Sequence, residues 1–225
     1  MTIALIIRHL GPGPHSNGSP QAVHGHEGVR YIKDTQPLDA DKLRRKEFSK
    51  WWSTLSEPQR ATLNSYQLAE YGYINSNLRH GILTIPEPGA QASPEQASDV
   101  VRVDKLDALI NHPISEDTVV YRGMKTSEIG DVQAGDIYCD KGFCSTSLTR
   151  GGGLSFTSWS PNRVLCEIVV PKDTQTAVTK KPSEHSGEAE VLLGRNTRFN
   201  VVSVEKGSPG GPGAYIRLDV IREES

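Results

Sequence analysis

The chain has 225 residues, with 25 basic and 27 acidic side chains, a formal net charge of −2 and 36% hydrophobic residues. This length and apolar content are sufficient for one domain with an extension, and they require no second domain. The near-neutral charge argues against a broad nucleic-acid-binding surface. The three cysteines are an odd number and fit no common zinc spacing, so they indicate reduced thiols.

The first part of the chain has no pattern that predicts packed structure. The opening stretch MTIALIIRHL has a short apolar run broken by Arg8, which is typical of neither a secretory signal nor a membrane span. Residues 9–28 are mostly Gly, Pro, Ser, Asn and His, and too few apolar side chains are present to offset the entropy of ordering them. Their four histidines lack partners at a fixed spacing, so no metal site is predicted. We therefore predict a flexible arm over 1–37, no membrane partner, and a protein that is cytoplasmic where it is made.

The next segment has the apolar spacing of amphipathic helices. Phe48, Trp52 and Leu55 recur near helical spacing, with Arg and Lys residues on the opposite face. Ser56 is the expected N-cap of a second helix, because serine oxygens accept from the first free backbone N–H groups. The pattern predicts three helices, over 39–55, from Ser56 to Gly81, and over 99–111, with a loop at 86–98.

After Pro113 the hydrophobic period changes to that of strands. Short β-branched or aromatic segments alternate with turn residues. These segments are 118–123, 135–139, 143–147, 164–171, 188–194, 198–205 and 214–221, with a hairpin loop at 207–213. Helices followed by strands predict an α+β domain over 38–225, helical over 38–113 and β-rich over 114–225. We expect two packed antiparallel sheets. A P-loop and a strand-linked G-x-G-x-x-G are both absent from the sequence.

Two predicted strands carry polar residues suited to a ligand. Arg122 lies near a strand end and precedes Gly123, so its cation can reach a pyrophosphate while the backbone approaches closely. An edge-strand arginine facing solvent would explain the same pattern. Ser145 and Ser147 alternate along their strand and share a face, where they can bind a ligand or a carboxylate. An ordinary strand is the commoner explanation of this second pattern.

Two carboxylates, Glu188 and Glu190, enter an apolar strand. Residues at i and i+2 of a strand share a face, and two like charges at that distance resist joint ionisation. Such a pair is rarely placed there for stability, although a solvated pair beside a turn is the alternative. The pair is therefore a candidate for chemistry.

Taken in this order, the motifs resemble the R-S-E class of ADP-ribosyltransferases, which includes arginine-specific bacterial toxins and related ecto-enzymes. The matching pieces are Tyr121-Arg122-Gly123, Phe143-Cys144-Ser145-Thr146-Ser147, and Glu188-Ala189-Glu190-Val191-Leu192-Leu193 followed by Arg198-Phe199. The helical text from Tyr73 to Arg79 is similar to that family's early helix, so the resemblance covers the chain from residue 40 onward. It implies the ADP-ribosyltransferase fold, with N-terminal helices packed on two antiparallel sheets that form an NAD cleft.

The resemblance also implies roles on the NAD side of the reaction. NAD would be the co-substrate, and no metal would be needed. Glu190 would bond the nicotinamide ribose and stabilise the developing positive charge, while Ser145 holds Glu190 in place. Arg122 would bind the pyrophosphate and backbone groups of Gly123 the nicotinamide amide. The expected NAD-binding set is Arg122, Gly123, Ser145, Thr146, Ser147 and Glu190.

The acceptor implied by the resemblance is an arginine on an unidentified target protein. Glu188 would receive its guanidinium and help remove a proton. Residues 180–187 would form the acceptor loop and 150–162 a flap over NAD. Family members often carry an aromatic residue in the acceptor loop, where this chain offers Glu184 and His185.

Several alternatives remain open. The same residues would serve an NAD glycohydrolase, in which water replaces arginine, and the chain could also be a non-catalytic capsid-associated module. Transfer to a nucleobase is disfavoured by Glu188 and by the near-neutral charge. The Gly/His-rich arm is similar to tracts that precede domains in tailed-phage minor head proteins. That similarity suggests a phage-encoded enzyme, carried in a virion or delivered as a toxin into a host cell.

Overall fold

The computed structural model describes residues 37–83, 96–156, 162–182, 189–207 and 211–222. The predicted flexible arm, apart from its last residue, lies outside these ranges. Four helices come first: α1 (Pro37–Thr54), α2 (Glu57–Ser65), α3 (Tyr71–Arg79) and α4 (Ala97–Leu109). Across the described ranges, no helix combines the length and apolarity needed to cross a membrane.

The expected second helix is interrupted by a π-helical turn. Ser56 begins α2 as predicted, and its backbone N–H donates to Gln59 Oε1 at 2.8 Å. Residues Tyr66–Glu70 then form the π turn between α2 and α3. This turn buries Tyr66 completely and leaves Leu68 76% exposed. Isolated π turns within α-helices occur frequently at functional sites, and this one borders the cavity described below.

Nine strands and two short helices follow. The strands are β1 (His112–Pro113), β2 (Thr118–Lys125), β3 (Ile137–Asp140), β4 (Cys144–Ser147), β5 (Arg163–Val170), β6 (Gln175–Ala177), β7 (Glu190–Leu193), β8 (Thr197–Lys206) and β9 (Ala214–Val220). The helices are α5 (Thr126–Ile129) and α6 (Arg150–Ser155). All seven predicted strands are present, and β8 and β9 form the predicted hairpin.

The strands form one hydrogen-bonded sheet in the order β1-β6-β7-β4-β2-β5-β9-β8-β3. The helices-then-strands order and the α+β class are confirmed, but the two-sheet expectation needs a correction. Strand β2 pairs with β5 over its whole length and with β4 only at Tyr121↔Ser147, so two groups of strands meet at a single residue pair. Strand β9 pairs with β5 in the parallel direction, so the sheet is mixed.

Apolar side chains cover both faces of the central strands. One continuous core joins the helices to the sheet and includes the fully buried Tyr66, Ile74 and Leu192. A smaller cluster on the other face contains Val119, Tyr121, Leu165 and Val169, and α6 packs on it through Leu154. Strands β2 and β5 therefore have apolar side chains packed against both of their faces.

Candidate active site

The three predicted motifs meet in one cavity of about 960 Å³. Strand pairing explains the meeting, because Tyr121 of β2 lies opposite Ser147 of β4, which in turn lies opposite Glu190 of β7. The cavity is bordered by α3 and the π turn, and Arg122, Gly123, Ser145 and Glu190 all line it. The structure thus brings together one residue or more from each motif.

Arg122 lines the cavity as a buried guanidinium that stays protonated. It is 8% exposed, and its Nη1 donates to the main-chain oxygen of Ser145 at 2.8 Å. Its Nη2 lies 3.3 Å from Asp140 Oδ2. Burial alone would lower the pKa of Arg122, but the neighbouring Cys144 and Asp140 outweigh it, so the pKa is raised. A fixed, permanently charged guanidinium suits an anionic ligand.

Asp140 joins Arg122 to a second arginine that sequence reasoning did not single out. Arg79 of α3 donates to the two Asp140 oxygens at 2.8 and 3.0 Å, and Gly142 N donates to Oδ1 at 3.0 Å. Asp140 is 1% exposed, whereas the Arg79 side chain remains 21% exposed and lines the cavity. The Arg79 Nη1 also lies 3.9 Å from Glu128 Oε1, so the two arginines are balanced by more than one carboxylate. The two guanidiniums that line the cavity nevertheless offer several N–H donors to a pyrophosphate.

Ser145 is connected to the helices through a buried polar chain. Its side chain hydrogen-bonds the Tyr66 hydroxyl, which also accepts from Asn75 Nδ2 at 2.9 Å. Asn75 Oδ1 in turn accepts from the backbone N–H of Phe143 at 2.8 Å. Burial raises the pKa of Tyr66, so the phenol stays neutral and can both donate and accept. The roles of Tyr66 and Asn75 were also missed, because their hydrogen bonds join the second predicted helix to Phe143 and Ser145, which are distant in the sequence.

Glu190 is the first residue of β7 and is 4% exposed. The hydroxyl of Thr179, which follows β6, donates to Glu190 Oε2. The preceding Ala189 has a φ of 42°, in the left-handed region, so the expected strand over 188–194 begins only at Glu190. The alternation that put Glu188 and Glu190 on one face therefore does not extend through Ala189. Glu188 itself lies outside the described residues.

Two other expected NAD contacts lie away from the cavity lining. Thr146 is fully buried, and its Oγ1 donates to the Val191 carbonyl at 2.6 Å. Ser147 Oγ accepts from Thr149 N at 3.0 Å, beside the start of α6. Both residues therefore support the neighbouring main chain, while Ser145, which alternates with Thr146, faces the cavity.

The two expected loops are described in part. Lys180 of the acceptor loop lines the cavity, whereas Glu184 and His185 lie outside the described residues. From the expected flap, Ser155 and Phe156 line the cavity and the following five residues are not described. Tyr71 of α3, 55% exposed, adds an aromatic ring to the cavity lining.

The cavity therefore combines two chemical capacities. Arg79 and Arg122 can hold a dianionic pyrophosphate, and Glu190 can stabilise a positive charge that develops nearby. Across the described ranges, no three His, Cys, Asp or Glu side chains are grouped to hold a metal ion.

Comparison with known proteins gives a consistent picture. The profile of the ADP-ribosyltransferase exoenzyme family matches residues 40–216. The chain is 26% identical to the NAD(+)--arginine ADP-ribosyltransferase EFV of Enterococcus faecalis over 159 residues, which are 69% of this chain and 31% of EFV. It is 26% identical to the Vis protein of Vibrio splendidus over 211 residues, covering 78% of this chain and 82% of Vis. The chain thus spans about a third of one relative and most of the other.

Solved structures share the fold. Plx2a, an ADP-ribosyltransferase toxin from Paenibacillus larvae, superposes with a TM-score of 0.63 at 24% identity, covering 83% of this chain and 96% of Plx2a. The Vis toxin superposes with a TM-score of 0.59 at 20% identity, covering 83% of each chain. The helices and the mixed sheet described above are those of this structural class.

Proposed function

Because the chain belongs to the ADP-ribosyltransferase exoenzyme family, we propose that it transfers ADP-ribose from NAD to an arginine side chain of a target protein and releases nicotinamide. The observation that carries the proposal is the shared cavity, in which Arg79 and Arg122 adjoin Ser145 and Glu190. The arginine acceptor is supported by the name of EFV and by a Vis structure in complex with agmatine, a bare guanidine compound.

In this reaction the bond between nicotinamide nitrogen and the ribose anomeric carbon breaks, and its electron pair leaves with nicotinamide. Positive charge develops on the ribose, where the buried Glu190 carboxylate stabilises it. Arg79 and Arg122 hold the pyrophosphate, so nicotinamide departs from an ADP-ribose group that is held in place.

A guanidine nitrogen of the acceptor then forms the new bond to the anomeric carbon and loses a proton. We assign this acceptor side to Glu188, because a carboxylate can pair with a guanidinium through two hydrogen bonds and take up the proton. Lys180, the first residue of the expected acceptor loop, lines the cavity. The protein target of the enzyme is recognised by surfaces that include this loop.

The proposal is tested with labelled NAD and agmatine. We expect the wild type to label agmatine, and Glu190→Gln to lower both transfer and NAD hydrolysis by a factor on the order of 10²–10³. Glu188→Gln should abolish most transfer while slow hydrolysis persists. Glu205→Gln, on an exposed part of β8, serves as the control with wild-type rates.

Two results would contradict the proposal. Free ADP-ribose as the sole product, at a rate that agmatine does not change, would identify a glycohydrolase. No nicotinamide release under any condition would identify a non-catalytic module. Equal loss of hydrolysis and transfer in Glu188→Gln would refute the separate acceptor role of Glu188.

A further inference from the structure

The carboxylate of Glu190 receives a hydrogen bond from outside the three sequence motifs. Thr179 Oγ1 is the donor and Glu190 Oε2 the acceptor. Thr179 is 1% exposed and Glu190 4% exposed, so the bond is shielded from water. A hydrogen bond to an ionised group is stronger than one between neutral groups, and shielding from water strengthens it further.

The position of Thr179 is fixed by the sheet. Strand β6 ends two residues before Thr179, and it pairs with β7 at Thr176↔Leu193 and Ala177↔Leu192. This antiparallel pairing carries the chain after β6 back alongside the start of β7, where Glu190 lies. Ala177 and Val178 are fully buried, so the main chain leading to Thr179 is held in the core.

The side chain of Thr179 is also stiff. A β-branched residue has few accessible χ1 rotamers, so its hydroxyl points in a defined direction once the backbone is fixed. The Ser145 hydroxyl, by contrast, bonds Tyr66, and its Cα lies opposite Leu192, two residues beyond Glu190. Thr179 therefore contacts the carboxylate directly, from the segment that follows β6 on the other side of β7.

We propose that Thr179 is a positioning residue that fixes the orientation of the Glu190 carboxylate for catalysis. The proposal rests on the proposed function, in which Glu190 acts on the nicotinamide ribose. A carboxylate stabilises a developing charge best when its direction is set in advance, and misplacement of about 1 Å costs a factor on the order of 10² in rate. Thr179 acts only through Glu190, and it affects transfer and hydrolysis equally.

The test compares Thr179→Val, which keeps the shape and removes the hydroxyl, with Thr179→Ser, which keeps the hydroxyl. We expect Thr179→Val to lower kcat by a factor on the order of 10–100 in both reactions, with the KM for NAD changed by less than about threefold. Thr179→Ser should restore kcat to within about threefold of the wild type. Thr179→Ala is measured in addition, in case the valine variant does not fold.

Thr176→Val is the matched control. Thr176 lies in β6, three residues before Thr179, is fully buried, and donates to the His112 carbonyl at 2.9 Å, away from the cavity. It should lower stability as much as Thr179→Val does and leave kcat unchanged. Unfolding midpoints are recorded for every variant.

The outcomes separate this inference from the proposed function. If the wild type is active and Glu190→Gln is not, but folded Thr179→Val or Thr179→Ala keeps wild-type kcat, Thr179 is not a positioning residue. Equal losses in the serine and valine variants would overturn the inference too. If Glu190→Gln is as active as the wild type, the proposed function itself is wrong.

Discussion

At the scale of single residues, Asp140 is the carboxylate that joins the two arginines of the cavity. It is 1% exposed and contacts Arg79, Arg122 and the Gly142 N–H. Removing it leaves two guanidiniums near each other with no carboxylate between them. The loss of one partner from a buried ion pair typically costs about 3–5 kcal/mol.

We therefore expect Asp140→Ala to lower the free energy of unfolding by about 3–5 kcal/mol. Asp107→Ala is the control, because the Asp107 pair with Arg195 is partly exposed, with 33% and 25% of the two side chains accessible. Burial raises the pKa of Asp107, which means that the fold gains little from its charge. The control should cost no more than about 1 kcal/mol. Urea denaturation measures both, and equal losses would refute the role assigned to Asp140.

Because Cys144 and Cys166 are buried thiols, we expect the protein to lose stability at alkaline pH. Burial raises the pKa of Cys144 to about 11 and that of Cys166 to about 12. The unfolded chain gives up these protons first, at about pH 8.5. The contribution of the neutral thiols is therefore complete below that pH and is lost as pH rises through 11 and 12.

Urea midpoints measured between pH 8 and 11 check this expectation. The midpoint should fall with rising pH in the wild type and fall less steeply in Cys144→Ala. Cys139→Ala, which changes an exposed cysteine, should retain the wild-type slope. A Cys144→Ala slope identical to the wild type would show that other groups cause the loss.

At the scale of secondary-structure elements, α6 is attached to the sheet by a close backbone contact. A Cβ added to Gly153 would lie 2.7 Å from Tyr121 Cβ and 2.9 Å from the Tyr121 carbonyl carbon. The Arg150 guanidinium lies over the rings of Tyr121 and Tyr215, at 5.8 and 5.5 Å from their centroids. Because α6 leads directly to Phe156 at the cavity, its seating on the sheet sets one wall of the site.

Gly153→Ala should therefore destabilise the protein by about 1–3 kcal/mol, the usual cost of overpacking, and weaken NAD binding. Gly151→Ala is the control, since a Cβ there meets no atom within 4 Å. It should be neutral or slightly stabilising, because alanine favours a helix more than glycine does. Thermal unfolding and NAD titration measure both variants, and equal effects would refute the contact.

The order and type of the elements were predictable because hydrophobic periodicity is a local property. Strand β6 was not predicted, since Gln175-Thr176-Ala177 is short and lacks the β-branched run of its neighbours. Arg122, Ser145 and Glu190 were found because each lies in a motif. Thr179, Asp140 and Arg79 were missed because their roles depend on pairing between distant segments, such as β6 with β7, which no local pattern encodes.

At the scale of the whole molecule, the N-terminal arm is predicted to be dispensable for catalysis. The described structure begins at Pro37 and the family match at residue 40, and the described residues that line the cavity all lie after both. Deleting residues 1–36 should leave kcat for NAD hydrolysis within about threefold of the full chain, because positioning of the reacting groups is unchanged. A large loss of activity, with the unfolding midpoint retained, would show that the arm completes the site.

The bond between Thr179 and Glu190 has one more consequence, for how such an enzyme acquires new targets. Their hydrogen bond joins the two positions that flank residues 180–189, and Ala189, with its left-handed backbone, is the last residue before β7. In general, each doubling of the chain length between two joined positions costs only about 0.6 kcal/mol of loop-closure entropy. Under the proposed function, substitutions or insertions in residues 180–188 would change which acceptor is bound and would leave the groups proposed to cleave NAD in place.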